Sequence, residues 1–235
     1  MHAHTEPPGV LSAEPRLVLD GVWLWGRRMV PGIPMTSALV RGLDGTLVAI
    51  DPVAPAGGWE TLASIGKPAA TVLTTHWHER ESATLRARYG TPVWAGPEPD
   101  GIVARRAHFH LSEEGPLPGG FRAIPLGGTS PGEWALLLER DGGILFVGEA
   151  LLALDVDDAP LGLGALARLL LPFGPPQPYP RWLAADPHGT DRDLERLASL
   201  RFEHVIVSHG FPWLVRADRA VRRVVRRTLA AHRRR

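Results

Sequence analysis

Apolar and β-branched residues gather in short runs over 17–28 (LVLDGVWLWGRR), 34–42 (PMTSALVRG) and 45–55 (GTLVAIDPVAP), with Gly- or Pro-rich turns between them. This pattern predicts a meander of strands in the first quarter of the chain. GWETLASIG (58–66) has helical spacing and a glycine stop, and PAATVLTTH (68–76) is an apolar run of buried-strand length. SATLRARYG (82–90) follows as a helix closed by Gly90, and PVWAGP (92–97) as another strand. Beyond them, FRAIPL (121–126), EWALLLER (133–140) and GILFVGEAL (143–151) are predicted strands, the last two joined by the hairpin signal Asp141-Gly142. After a Pro-rich loop come a helix (190–200), a strand (203–210) and a terminal helix (217–235). Residues 1–16 are expected to be a disordered tail and 17–235 a single domain.

The two halves echo one another. TVLTTH and HVIVSH are both apolar strands running into a hydroxyl residue and then a histidine. Ligands in α/β sheets collect beyond the carboxyl ends of strands, so His76, His78 and His209 are candidates to meet at one edge of two stacked sheets. The stretch TTHWHERES (74–82) is therefore either part of a metal site or only the entrance to a helix.

Composition narrows the chemistry. The 235 residues carry a net charge of +1 and no cysteine, so any metal must be held by His, Asp and Glu. Neither the charge balance nor the hydrophobic content demands a nucleic-acid or membrane partner, no apolar run approaches membrane-spanning length, and the expected location is the cytoplasm.

TTHWHERES, GTSPGEWAL, LFVGEAL and VIVSHG fall in the order and at about the spacing of the metal-binding motifs of the metallo-β-lactamase superfamily, and AIDPV is similar to the Asp-bearing strand end that precedes them. The resemblance runs from about Leu17 to Gly210. It implies an α/β fold built as a four-layer αββα sandwich, two mixed sheets with helices on both outer faces and one or two metals between the sheets. His76 and His78 stand at the first two ligand positions and His209 at the last, whereas Arg80, Glu81, Glu133 and Glu149 stand where the family has Asp, His, His and Asp. The implied metal-site residues are thus His76, His78, Glu81, Glu133, Glu149 and His209, with Asp51 orienting the histidine loop.

A set of His76, His78 and Glu133 suits zinc and leaves room for water; Mn²⁺ or Fe²⁺ also tolerates the added carboxylates. One ion is expected, because Arg80 puts a permanent cation beside the second position, and like charges about 4 Å apart repel by roughly 4 kcal/mol at an intermediate dielectric. The implied activity is metal-assisted hydrolysis of a small-molecule ester, thioester, lactone or amide, with Glu149 and Arg80 as catalytic groups and Arg80 on the developing oxyanion. The alternative is a non-catalytic protein in which an Arg80–carboxylate network replaces the metal and the cleft serves ligand binding or interaction.

Other motifs fit ordinary roles. His108 and His110 are expected on a surface or pocket-rim strand, and His2 and His4 carry no role. Trp77, Trp134 and Trp213 neighbour site residues and are candidates for an aromatic wall. The arginine-rich terminal helix is expected to pack its apolar stripe on the domain and solvate its arginines, and nucleic acid is not expected as a partner, since no aromatic residue interleaves the stripe.

Overall fold

The computed structural model describes residues 12–28, 33–98, 102–154 and 174–234. Order begins earlier than Leu17: Gly26 N donates to Ser12 O and Ala56 N to Ala13 O. The run 17–28 is two strands, β1 (Arg16–Leu19) and β2 (Val22–Arg28), because Gly21 takes a positive φ and turns the chain between them. They are followed by β3 (Pro34–Arg41) and β4 (Leu47–Ile50), all antiparallel, and then by β5 (Ala70–Val72), β6 (Val93–Ala95) and β7 (Phe109–His110), all parallel, in one seven-stranded sheet of order β1-β2-β3-β4-β5-β6-β7. The segment expected as a helix over 58–66 is a 3-10 stretch, Trp59–Ser64, and it buries Trp59 and Leu62. Helices α1 (Ser82–Tyr89) and α2 (Ile102–Arg106) connect the parallel strands, with Gly90 closing α1 in the left-handed conformation.

The second sheet is built from β8 (Arg122–Pro125), β9 (Trp134–Leu138), β10 (Ile144–Val147) and β13 (His204–Val207), in the order β13-β10-β9-β8; β10 and β13 are parallel. A small ribbon pairs β11 (Leu151–Leu152) with β12 (Gln177–Pro178). Helix α3 (Pro187–Ser199) is capped by Asp186, whose side chain accepts from His188 N; α4 (Ala217–His232) stops short of the predicted 235.

Strand alternation sorts the side chains into layers. Leu24, Val40, Val48, Ile50 and Val72 face Leu136, Leu138, Ile144 and Phe146 between the sheets. Leu39, Ala49 and Trp25 point the other way, toward Leu62 and Leu85, while Leu137, Leu145 and Val205 pack against Leu194 and Leu197 of α3 and Val221 and Val225 of α4. The result is an αββα sandwich, as the sequence led us to expect. Among the described residues no helix is long and apolar enough to cross a membrane.

Candidate metal centre

Four strand ends deliver the site. β4 ends at Asp51, β5 leads through Thr74 into a 3-10 turn (His76–His78), β10 leads to Glu149 and β13 to His209. Thr75 caps the turn by accepting from Trp77 N at 3.3 Å, which directs His78 inward. Gly148 lets the β10 loop approach, since a Cβ there would lie 2.8 Å from Thr74 Oγ1.

His78 Nε2, Glu149 Oε1 and His209 Nε2 form a buried triangle with sides of 2.8, 3.0 and 3.2 Å. The far side of each ring is tied down: His78 Nδ1 lies 2.9 Å from Asp51 Oδ2 and His209 Nδ1 lies 2.7 Å from the Pro34 carbonyl. Since a carboxylate and a carbonyl can only accept, both rings carry their hydrogen on Nδ1 and, when neutral, point an Nε2 lone pair at Glu149. Two lone pairs and a carboxylate oxygen at such separations repel unless a cation lies among them.

Ligand atoms of a four-coordinate zinc ion with Zn–N bonds near 2.0 Å sit about 3.3 Å apart, so this triangle fits a metal with a slight opening. The donor set, two imidazoles and one carboxylate, is one that leaves a further coordination position open. The rearward bonds of His78 and His209 are those that orient metal-binding histidines.

Two carboxylates at the site are held ionised. Burial pushes the Asp51 carboxyl up, but His78, Arg80 and Ser208 together hold it at about 2. Burial likewise opposes ionisation of Glu149, yet His209 and His78 hold it well below the usual carboxylate range. Burial and Arg80 disfavour a charged His78, and Asp51 and Glu149 outweigh both, raising its pKa. Asp51 also accepts from Thr74 N, Thr74 Oγ1 and Ser208 Oγ and sits at φ 46°, a left-handed strain held by these bonds.

Several predicted site residues lie elsewhere. His76 Nε2 donates to Gly96 O at 2.8 Å, and its ring occupies the space a Gly132 side chain would fill, so it is diverted from the triangle. Glu133 is buried close by, but its Oε1 accepts from Glu149 N and Ala150 N and its Oε2 from Ser130 Oγ. Burial pushes its pKa up to about 8, the Ala150 N–H and Ser130 resisting and the Glu149 charge assisting. Glu81 turns away, pairing with Arg27 at 3.0 Å and accepting from Ala54 N.

Arg80, at φ 42°, donates to the carbonyls of Thr36 (2.7 Å), Asp51 (2.9 Å) and Ser208 (3.3 Å). Its guanidinium is thus committed to backbone and not presented to an oxyanion, and no carboxylate pairs with it among the described residues. This corrects the oxyanion role expected for it; burial lowers the guanidinium pKa and the charges of Asp51 and Glu149 oppose that shift, so the carboxylates act on Arg80 although no direct ion pair forms. The aromatic wall does not assemble either: Trp134 packs on the intersheet core, Trp213 runs back to pair with Val205, and Trp77 alone joins an exposed surface to the histidine turn. His108 accepts from Val93 N and His110 donates to Ala104 O. Tyr179, which sequence reasoning missed, is bonded through its N–H to Ala150 O, and its phenol pKa is raised first by burial and then by Glu149 and Glu133. Nothing in its Pro-rich surroundings signals this; only the β11–β12 ribbon brings it close.

No family model and no curated protein matches the sequence. Among solved structures, the chain is similar to a β-lactamase domain protein from Burkholderia ambifaria (16% identity over 97% of this chain and 75% of that one, TM-score 0.64). It is also similar to a metallo-β-lactamase family protein from Thermus thermophilus (17% identity, 92% and 81% covered, TM-score 0.59). A protein solved in a di-iron-bound form matches at 24% identity over 81% of this chain and 94% of that one, with TM-score 0.53. Two stacked mixed sheets, flanking helices and these likenesses together make this a protein of the metallo-β-lactamase fold.

Proposed function

We propose that the protein is a metal-dependent hydrolase that holds one divalent ion on His78, Glu149 and His209 and cleaves an ester, thioester, lactone or amide. The observation that carries this reading is the convergence of three acceptor atoms within 3.2 Å of one another, each histidine anchored from behind. A neighbour of the same fold is described in a di-iron-bound form, so Fe²⁺ stands beside Zn²⁺ and Mn²⁺ as a candidate. When bound, such an ion supplies Lewis acidity and hydroxide at neutral pH for attack on a carbonyl.

The chain's own groups have separable tasks. Asp51 fixes the His78 tautomer and the Pro34 carbonyl fixes that of His209. Glu133 grips the backbone N–H groups of Glu149 and Ala150, setting the position of the Glu149 carboxylate. Tyr179, half-buried and kept protonated first by that burial and then by the Glu149 and Glu133 charges, is suited to give a proton to the leaving group.

Elemental analysis of protein purified without chelator is expected to find close to one equivalent of transition metal. His209→Ala is expected to lose it, and hydrolysis of a panel of nitrophenyl esters, thioesters and lactones should vanish with the metal. A second reading rests on the same triangle: a proton on His78 links Asp51 to Glu149 without any metal. Less than a tenth of an equivalent after supplementation with Zn²⁺, Mn²⁺ and Fe²⁺ would establish that reading instead.

A further inference from the structure

Helix α4 carries a charge pattern that folding does not require. Ala217, Val221, Val224 and Val225 are buried and Leu229 packs beside them, while Arg219, Arg223, Arg226, Arg227, Arg233 and Arg234 are exposed. At 3.6 residues per turn Arg219, Arg223, Arg226 and Arg227 fall within an arc of about 100° opposite the apolar stripe, over a length of about 12 Å, and Arg233 and Arg234 follow just past the end of the helix. The helix has a single acidic residue, Asp218, and it is paired with Arg222 at 3.0 Å. Among the described residues no carboxylate pairs with Arg219, Arg223, Arg226, Arg227 or Arg234; Arg233 has a loose contact with Glu195 at 3.4 Å. Arg219 with Arg223 and Arg223 with Arg227 stand four residues apart, a spacing at which like charges destabilise a helix. The whole chain is only +1, so this face is a concentrated positive patch on an otherwise net acidic protein.

The fold supplies what the linear sequence lacks. Trp213 (37% exposed) pairs with Val205 just before the helix begins, at one end of the stripe. Past the other end, His232, on the side of α4 turned toward α3, and Arg181 converge on Asp191, and the turn bearing Trp182 (63% exposed) adjoins that contact. An arginine track with an exposed tryptophan near each end of the helix suits a flexible phosphate backbone whose bases can stack. An anionic bilayer fits less well, because the helix has already spent its apolar face on α3 and β13 and has none to insert.

We propose that the outer face of α4, with Trp182 and Trp213, binds single-stranded nucleic acid. The test measures fluorescence anisotropy of labelled oligodeoxythymidylate of about 16 nucleotides with the full chain, the matched duplex, and phosphatidylserine vesicles. Micromolar binding to the single strand is expected at about 50 mM salt, weakening steeply as salt rises. Replacing Arg219, Arg223, Arg226 and Arg227 together by glutamine should weaken binding more than tenfold and lower the log–log salt slope by about 3. Circular dichroism and metal content should be unchanged, since all four side chains are exposed. Trp182→Ala should weaken single-strand binding at least fivefold, with Trp182→Phe recovering most of it. Absence of salt-sensitive binding, a quadruple variant that binds like the wild type, preference for vesicles, or equal duplex binding indifferent to Trp182 would each overturn the proposal.

Discussion

Glu133 shows how far one buried carboxyl can be read. Its pKa is raised from 4.5 to about 8, so the folded chain keeps a proton that the unfolded chain releases. Its contribution to stability is therefore whole below about pH 4.5 and is lost progressively as pH climbs to about 8. Glu133→Gln preserves the acceptor for Glu149 N and Ala150 N and can donate to Ser130. Denaturation of chelator-treated protein should show a flatter pH profile for this variant between about pH 5 and 8. Its metal content should be unaltered, whereas a metal-liganding Glu133 would lose the ion. The sequence marks the histidines and glutamates of the motifs but cannot rank them. His76 and His78 share one His-x-His, and what separates them is the Gly96 carbonyl and the Gly132 backbone, brought there by distant loops. Asp51 was legible through the resemblance of AIDPV to the family's Asp-bearing strand end, while Tyr179 was not, since no motif or periodic pattern surrounds it.

At the scale of elements, Arg80 is a clamp. Its three carbonyl partners lie on β3, at the end of β4 and just after β13, which ties the first sheet to the second. Arg80→Ala removes a charged donor from all three, and one such bond is worth about 1.5 to 3 kcal/mol. A loss of about 3 kcal/mol corresponds to a melting temperature lower by about 6 to 12 °C for a chain of this size. Calorimetry of wild type and variant checks it; an unchanged transition would mean that solvent replaces the guanidinium without cost. The strands themselves were legible because their apolar runs are bounded by Gly and Pro. The Trp59–Ser64 segment was less so, as helical spacing over two turns does not distinguish α from 3-10 geometry. The little β11–β12 ribbon was invisible because each strand is two residues long.

For the whole molecule, metal and fold are expected to be linked. An ion present at about 100 times its dissociation constant stabilises a one-site protein by about 2.7 kcal/mol, so Zn²⁺ should raise the melting temperature by several degrees and EDTA should reverse the gain. His209→Ala should remove the response. The sandwich architecture was implied by the resemblance of the motifs and their order, but the contact of α4 with Asp191, next to the turn bearing Trp182, arises only when the chain is packed.

One seam has a further consequence. Thr36 N donates to Ser208 O at 2.9 Å, Thr36 Oγ1 to Gly210 O at 2.8 Å and the His209 ring to Pro34 O, so the first residues of β3 are stitched to the loop after β13. The amide of Thr36 therefore cannot exchange its hydrogen with solvent unless that loop, which carries His209, lifts away. The ion proposed for His209 would hold the loop down. Deuterium uptake at Thr36 should slow on metal addition while amides in the β8–β9 ladder keep their rates, making one backbone position a reporter of occupancy across the join between the sheets.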